Sequence, residues 1–514
     1  MDSKTFNALK KQYLALDKND EESYKKGVRE LLPQLLLGGD ISSEEIGIAK
    51  LVTDSKLPLA LLKGKDINLV RVKSKVVTIN GTMNDYIGKR PYKWATYQHT
   101  GLATAPGEIA TLTIPEDLVN KIGVQIGLSG QYLYFGLIKK ATTKIASPYG
   151  GLITLFMESR DATNKKGMFD VTIENALEGP NFVYEQSTNE DWNRMKHLAV
   201  PWTTLNVPGQ ILIWIPTHLL KSVTNMTSIM ASVKESMDVY DDMLGIPVGS
   251  RPGEERVVYE PTKGGGGYTY VALAWGGVVC NGGGVSVVGW PYYERLINNF
   301  YSSVVFHEIG HRGCYPDLPG SGGQWNAEIV RRYIEIKRGL TNWDSWATPW
   351  SVLMQYMVGF KMFSKGRPCY EAYREEHFPK GIPYIVNSYQ NCWTVIYRFP
   401  LFEFGWDTLR KVYSMNADEK QYSDIKMKGM DVKSERLVDL YCTATQHNLL
   451  PFFNFFNINV STSVAESCQA KPLPKVLTGF VKVANCIADK ETKDIECTKM
   501  PEFPDSKGNY LVCL

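Results

Sequence analysis

Apolar positions along the chain keep two different periods, and the change between them divides it. Phe6, Leu9, Tyr13 and Leu16 recur at spacings of three and four, which marks one face of a helix. Ser42 and Glu45 stand three apart ahead of Ile46, a capping-box start for a further helix. From about Lys65 the period falls to two. Ala110, Leu112 and Ile114 alternate with other residues, as do Ile122, Val124, Ile126 and Leu128, with Pro106-Gly107 and Ser129-Gly130 as turns beside them. The segments Gly151–Met157 and Met168–Ile173 continue the strand pattern, so a β-rich block runs to roughly residue 200, most simply a sandwich. After the apolar run Ile211–Ile215 the longer period returns: Ile229, Val233, Met237, Tyr240 and Leu244 hold one face over four turns. Helical stretches then dominate from Tyr292 to about Leu450, with Gly/Pro loops between them, and the two prolines of Lys471–Lys475 open the tail.

The expected fold is α+β and multidomain. It divides into a helical N-terminal region with first strands (1–90), a β-sandwich subdomain (91–205), a mainly helical domain (206–465) and a small C-terminal cysteine-rich module (466–514). A chain of 514 residues has room for two to four such units.

Composition narrows the class. With 57 basic and 54 acidic residues the net charge is +3, which gives no field to attract nucleic acid or an anionic membrane. Residues 1–20 are charged at short intervals and lack an apolar stretch, so no secretory signal is expected in the chain. The uncharged run Gly264–Tyr293 holds ten glycines, a composition for strands and tight loops rather than a membrane helix. A soluble protein of unknown oligomeric state is expected. All nine cysteines lie at or after Cys280, and Cys468, Cys486, Cys497 and Cys513 crowd the tail. That crowding predicts two disulfides within the tail, with Cys314 a free thiol, and an oxidising compartment; buried reduced cysteines are the plainer alternative. The sequons at Asn80, Asn225 and Asn459 lean toward a secreted or cell-surface location, and the missing signal leans toward the cytoplasm.

One motif carries chemistry: Phe306-His307-Glu308-Ile309-Gly310-His311, at the end of an apolar-periodic helix that starts near Tyr293. Residues four apart on a helix share a face, so both imidazoles can address one ion, and Glu308 is placed to polarise a water there. A catalytic zinc needs a third protein ligand and an open position. Arg312–Gln324 is too rich in Gly and Pro to extend the helix. Asn326 is then the expected N-cap of a second helix that offers Glu328 in its first turn as the third ligand; Asp317, in the loop, is the weaker alternative. By itself Glu328 reads as a solvated acid favoured at a helix start.

On these residues the chain resembles the enhancin-like zinc peptidases, which include bacterial and protist mucin-degrading enzymes and viral enhancins. The similarity covers roughly residues 92–465. Thr100–Pro115 looks like the family's opening strand, Val200–Leu205 resembles its Pro-Trp-x-Glu-Leu entry with Thr204 in the Glu position, Asp238–Gly245 matches the helix that follows, and Asn448–Phe453 resembles the closing segment. The usual HExGHxxQ here ends in Cys314. The resemblance implies a zincin-type catalytic domain, zinc held by His307, His311 and Glu328, and Glu308 as general base. It also implies an endopeptidase of mucin-like, O-glycosylated substrates. Gly264–Trp275 resembles the Gly-rich strand ahead of the motif, so Gly266, Gly267 and Tyr268 are candidates to contact substrate, the alternative being a loop followed by a core strand. His447 and Tyr268 are candidates to stabilise an oxyanion, with packing as the plainer role of each. A different class stays open: an idle adhesion or channel-associated binding protein of the same family. A zinc hydrolase with a non-peptide substrate is the third.

Overall fold

Each of the first two helices starts at an aspartate. In the computed structural model the Asp2 and Asp20 carboxylates accept the backbone amides of Thr5 and Ser23, opening α1 (Ser3–Leu14) and α2 (Glu21–Gly38). The structure describes residues 2–47, 69–82, 96–128, 133–157, 165–249, 251, 254–260, 267–270, 285–289, 296, 303–312, 324–340, 400, 404–416, 430–455, 458, 460–474, 503–504 and 510–511. The expected capping box is present: the Ser42 hydroxyl accepts from the Glu45 amide and the Glu45 carboxylate from the Ser42 amide, starting α3 (Ser43–Ile46). Tyr13 donates its hydroxyl to the Ile46 carbonyl at 3.0 Å, closing the three helices on one another. Their buried face, with Val28, Leu32 and Leu35, covers Leu133 and Ala146 of the neighbouring sheet.

That sheet contains β1 (Arg71–Asn80), β2 (Thr96–Thr104), β3 (Ile109–Thr113), β4 (Ile122–Ile126), β5 (Leu133–Leu137), β6 (Thr142–Ala146), β7 (Gly151–Met157) and β8 (Met168–Glu178). The alternating residues Ala110, Leu112, Ile122, Val124 and Ile126 are buried as their period requires. The architecture departs from the expected sandwich, for one hydrogen-bonded ladder runs throughout in the order β5-β4-β7-β2-β8-β3-β6, with β1 on the far edge of β8. The long strand β8 is the corner. Its near edge pairs with β3 at residues 172–174 and with β2 at 177–178, so two leaves diverge from one strand. Between those segments Asn175 takes φ 56° and the buried positions change parity, from Phe169, Val171 and Ile173 to Ala176. A local left-handed residue of this kind bends a strand and redirects its side chains. The result is one antiparallel sheet curled around its own core.

A second sheet holds β9 (Asn181–Val183), β10 (Trp202–Val207), β11 (Ile211–Pro216), β12 (Glu255–Glu260), β13 (Gly267–Tyr270) and β14 (Val285–Gly289) in the order β13-β14-β12-β11-β10-β9. It is mixed: β11, β12 and β14 run parallel, and β13 returns antiparallel to β14. β10 and β11 are buried at every position, the pattern of a strand covered on both faces. One face meets the curled sheet through Trp202, Leu212, Trp214 and Val258 against Ala103, Leu128 and Leu152, and the Arg256 guanidinium lies 3.9 Å over the Tyr97 ring. The other face, with Leu205, Ile213 and Val257, meets the helices.

The helical layer begins with α4 (Asn189–Met195), whose Trp192 indole donates to the Val223 carbonyl at 2.9 Å. α5 (Met226–Met243) follows, with Asn225 capping it by accepting the Ser228 amide. The apolar face Ile229, Val233, Met237 and Tyr240 is buried as its spacing predicts. Next come α6 (Ser303–Arg312), α7 (Gln324–Lys337), α8 (Trp406–Asn416), α9 (Met430–Thr445), α10 (Leu450–Phe455) and α11 (Thr462–Gln469). Among the described residues no helix is long and apolar enough to cross a membrane.

The pairing expected within the cysteine tail is corrected at its first member. Cys468 is bonded to Cys442, across 26 residues with Cα atoms 5.6 Å apart, and so ties α11 to α9. Counting cysteines in the tail could not anticipate this, because the partner is set by the packing of two helices. Cys314, Cys486, Cys497 and Cys513 lie outside the described residues. Peptide mapping without reductant is expected to recover the Cys442–Cys468 link. Replacing both cysteines with alanine should cost about 3.5 kcal/mol by loop entropy, read as a lower denaturation midpoint. A Cys468–Cys486 peptide in place of that link would contradict the assignment.

Candidate active site

The helix α6 carries the whole motif. Val305, Phe306 and Ile309 are buried and set its inner side, leaving His307 half-buried beside them. His311 follows one turn later on the same face by helical geometry. Glu308 and His311 stand on α6, and Glu328 stands on α7. α7 packs along α6, turning Val330, Tyr333 and Ile334 into the core. It starts at Gln324, three residues earlier than an N-cap at Asn326 would give, so Asn326 lies inside the first turn and Glu328 falls in the second.

β13 and β14 both lie against α6. β13 is the last strand of the sheet, and among the described residues no strand pairs with its outer edge. Gly267 and Tyr268 belong to this strand; Gly266, Cys314 and Asp317 lie outside the described residues. His447 is engaged locally: its Nδ1 is 2.7 Å from the Thr445 carbonyl and its ring centroid 5.1 Å from that of Phe404. That contact accords with the packing role.

Sequence reasoning missed how polar the support beneath these helices is. Along α5, the Tyr240 hydroxyl donates to the Ile309 carbonyl of α6 at 3.4 Å. Asp242 accepts the Tyr333 hydroxyl of α7 at 2.8 Å and pairs with Arg410 of α8 at 2.9 Å. Arg338, just past α7, donates to the hydroxyls of Ser232 and Ser236 at 2.7 Å each. Buried Arg251 pairs with Asp241 at 2.6 Å and with Glu255 at 2.9 Å. A helical period shows where apolar residues recur; it gives acids on the same helix no partner.

Beside this network Glu254 accepts the Gly209 amide at 3.0 Å. Burial pushes its carboxyl up to about 7, against the opposing pull of that amide, Arg256 and Asn206.

Three comparisons bear on the site. Residues 71–174 match the family model described as the N-terminal domain of M60-like peptidases. Among solved structures, the fold is similar to the M60 catalytic domain of ZmpC from Clostridium perfringens in complex with the sialyl T antigen. That likeness covers 78% of this chain and 80% of that one, at 14% identity and a TM-score of 0.54. It is also similar to IMPa from Pseudomonas aeruginosa in complex with an O-glycopeptide, over 92% of this chain and 62% of that one, at 12% identity and a TM-score of 0.53. At these identities the likeness speaks for the fold. Among curated proteins, TRPM8 channel-associated factor 3 of Mus musculus is 23% identical over 398 residues, 73% of this chain and 39% of that protein. TRPM8 channel-associated factor 1 of Bos taurus is 21% identical over 409 residues, 74% of this chain and 39% of that protein. The chain thus spans about two fifths of the curated relatives it matches. The resemblance read from the sequence holds, and it is partial: an M60-like N-terminal domain and an M60-like fold.

Glu254 yields a prediction about pH. A folded-state value raised from 4.5 to about 7 means the fold binds this proton more tightly than the unfolded chain. The associated stability is full below about pH 4.5 and is lost as pH rises through about 7. Glu254→Gln keeps an acceptor for Gly209 and stays neutral. It should therefore be more stable than the parent at pH 8, by on the order of 2–3 kcal/mol, and equal to it near pH 4. Parallel stability curves for the two proteins across pH 4–8 would refute this.

Proposed function

We propose that this chain is a zinc-dependent endopeptidase with its catalytic region in residues 206–465. The observation that carries the reading is one helix bearing His307-Glu308 and His311, packed against a second helix bearing Glu328 and against the edge strand β13. His307, His311 and Glu328 are two nitrogen donors and one carboxylate, the donor set of a catalytic zinc with an open fourth position. Zinc, when bound, supplies a Lewis acid to water and to the scissile carbonyl. Glu308 accepts a proton from the attacking water and returns it to the leaving amine. β13, with Gly267 and Tyr268 and with Gly266 just before it, offers its open edge to an extended substrate backbone.

The substrate class we propose is O-glycosylated, mucin-like protein. Support comes from the sialyl T antigen and the O-glycopeptide held by the two structural neighbours. The Cys442–Cys468 bond supports an oxidising compartment and hence a secreted or cell-surface location. A second reading has its own observation, the similarity to the TRPM8 channel-associated factors: a protein of this fold that acts by association with a partner and leaves the motif idle.

Metal analysis should find about one zinc per chain, and Glu328→Ala should lose most of it, since two histidines alone bind weakly. Full occupancy in that variant would move the third ligand elsewhere, with Asp317 next to be tried. Digestion separates the two readings. The parent protein should cleave intact mucin, fail with chelator present, and fail on mucin whose O-glycans have been removed. Glu308→Gln should retain zinc while losing turnover by about 10²–10⁴-fold. Parent-like turnover in Glu308→Gln would reject the mechanism, and a zinc-loaded parent that cleaves neither mucin nor casein would favour the binding reading.

A further inference from the structure

The end of α5 and the residues after it, Asp238-Val-Tyr-Asp-Asp-Met-Leu-Gly245, carry polar residues that have no place in the proposed chemistry. Each has a partner in the structure. Asp238 accepts from Gln210 and from Lys234, at 2.7 Å each. Tyr240 reaches the Ile309 carbonyl of α6, lying between His307 and His311 in sequence. Asp241 takes Arg251, whose guanidinium lies 5.0 Å over the Tyr240 ring. Asp242 takes Tyr333 of α7 through its side chain, and Arg410 of α8 through both its side chain and its backbone carbonyl. Gly245 closes the turn at φ 68°, where an added Cβ would stand 2.6 Å from the Ser414 hydroxyl of α8; only glycine allows that approach.

The two helices proposed to carry the metal ligands therefore share a support. α6 is held at Ile309 and α7 at Tyr333, from residues two apart on α5. We infer that this turn sets the spacing between the HEIGH helix and the Glu328 helix, with Asp242 as the positioning residue acting through Tyr333. The inference rests on the zinc-site reading above. Tyr333 is buried with its ring 5.4 Å from that of Trp406, so apolar packing already orders the ring. The hydroxyl adds direction: it fixes where along α5 the helix α7 can sit, and with it the height of Glu328 relative to His307 and His311.

The test uses the full chain and the metals themselves, as zinc affinity by chelator competition and as the visible spectrum of the cobalt(II) protein. Tyr333→Phe and Asp242→Asn are each expected to weaken zinc binding about tenfold and to alter the cobalt bands. The melting temperature should stay within a few degrees of the parent. In the double variant the losses should add only in part, since both act on the Tyr333–Asp242 bond while Asp242→Asn also weakens the ion pair with Arg410. Tyr333→Phe deletes a single oxygen and keeps the ring against Trp406, so it decides alone where Asp242→Asn proves unstable. Glu328→Gln separates the two levels of the argument. If Glu328→Gln loses zinc while Tyr333→Phe matches the parent in affinity and spectrum, the positioning role is overturned and the site stands. If the parent binds no zinc, or Glu328→Gln binds as well as the parent, the site reading fails and this inference falls with it.

Discussion

A β-sheet whose strands are apolar on both faces must be covered on both, and the β9–β14 sheet is in that position. Its central strands β10 and β11 are buried at every residue, so neither the curled sheet on one side nor the helices on the other can leave without exposing them. That constraint orders the molecule into three layers. It also explains why the M60-like match within 71–174 and the helical motif belong to one architecture: the curled sheet covers the back of the sheet whose other face carries α5. The N-terminal helices in turn cover part of the curled sheet, through Leu133 and Ala146.

The candidate site inherits its geometry from the same sheet. α6 lies against β13 and β14, so the distance from the HEIGH face to β13 is set by sheet packing. Among the described residues α7 packs on α6 and α5. Arg251 between Asp241 and Glu255 shows the cost side of this arrangement, since a buried ion pair gives up hydration and stabilises little unless its geometry is good.

Periodicity made much of this legible. The strict alternation at Ala110–Ile114 and Ile122–Leu128 located strands because a one-residue error would turn the apolar set outward, and the Ser42–Glu45 box and the α5 face followed from helical geometry. What escaped depended on contacts distant in sequence. Alternation assigns faces but not ladders, so the corner at Asn175, which turns an expected sandwich into one curled sheet, had no local signature beyond an asparagine. The same limit hid Cys442 as the partner of Cys468, and Tyr333 and Arg410 as the partners of Asp242. For the site, the HEIGH spacing was legible because i and i+4 geometry is intrinsic to a helix, whereas the start of α7 was misplaced by three residues because Asn326 looks like a cap wherever it falls.

The polar clamp also weighs between the two functional readings. A binding protein of this fold needs its helices packed, and leucines at Asp242 and Tyr333 would pack them with no partner to satisfy. A metal site asks for more, because ligands on separate helices must converge to within about 0.5 Å of a productive geometry. Hydrogen bonds are directional where apolar contacts are not, so a Tyr–Asp–Arg junction fixes the axial position of α7 in a way that a leucine contact would leave free. Such a junction lies beside the helix that bears Glu328, and a second polar contact reaches the helix that bears His307 and His311. This placement is economical for a protein that must hold three ligands on one ion. It would serve the peptidase reading proposed above, whereas a protein that leaves the motif idle asks only that its helices pack.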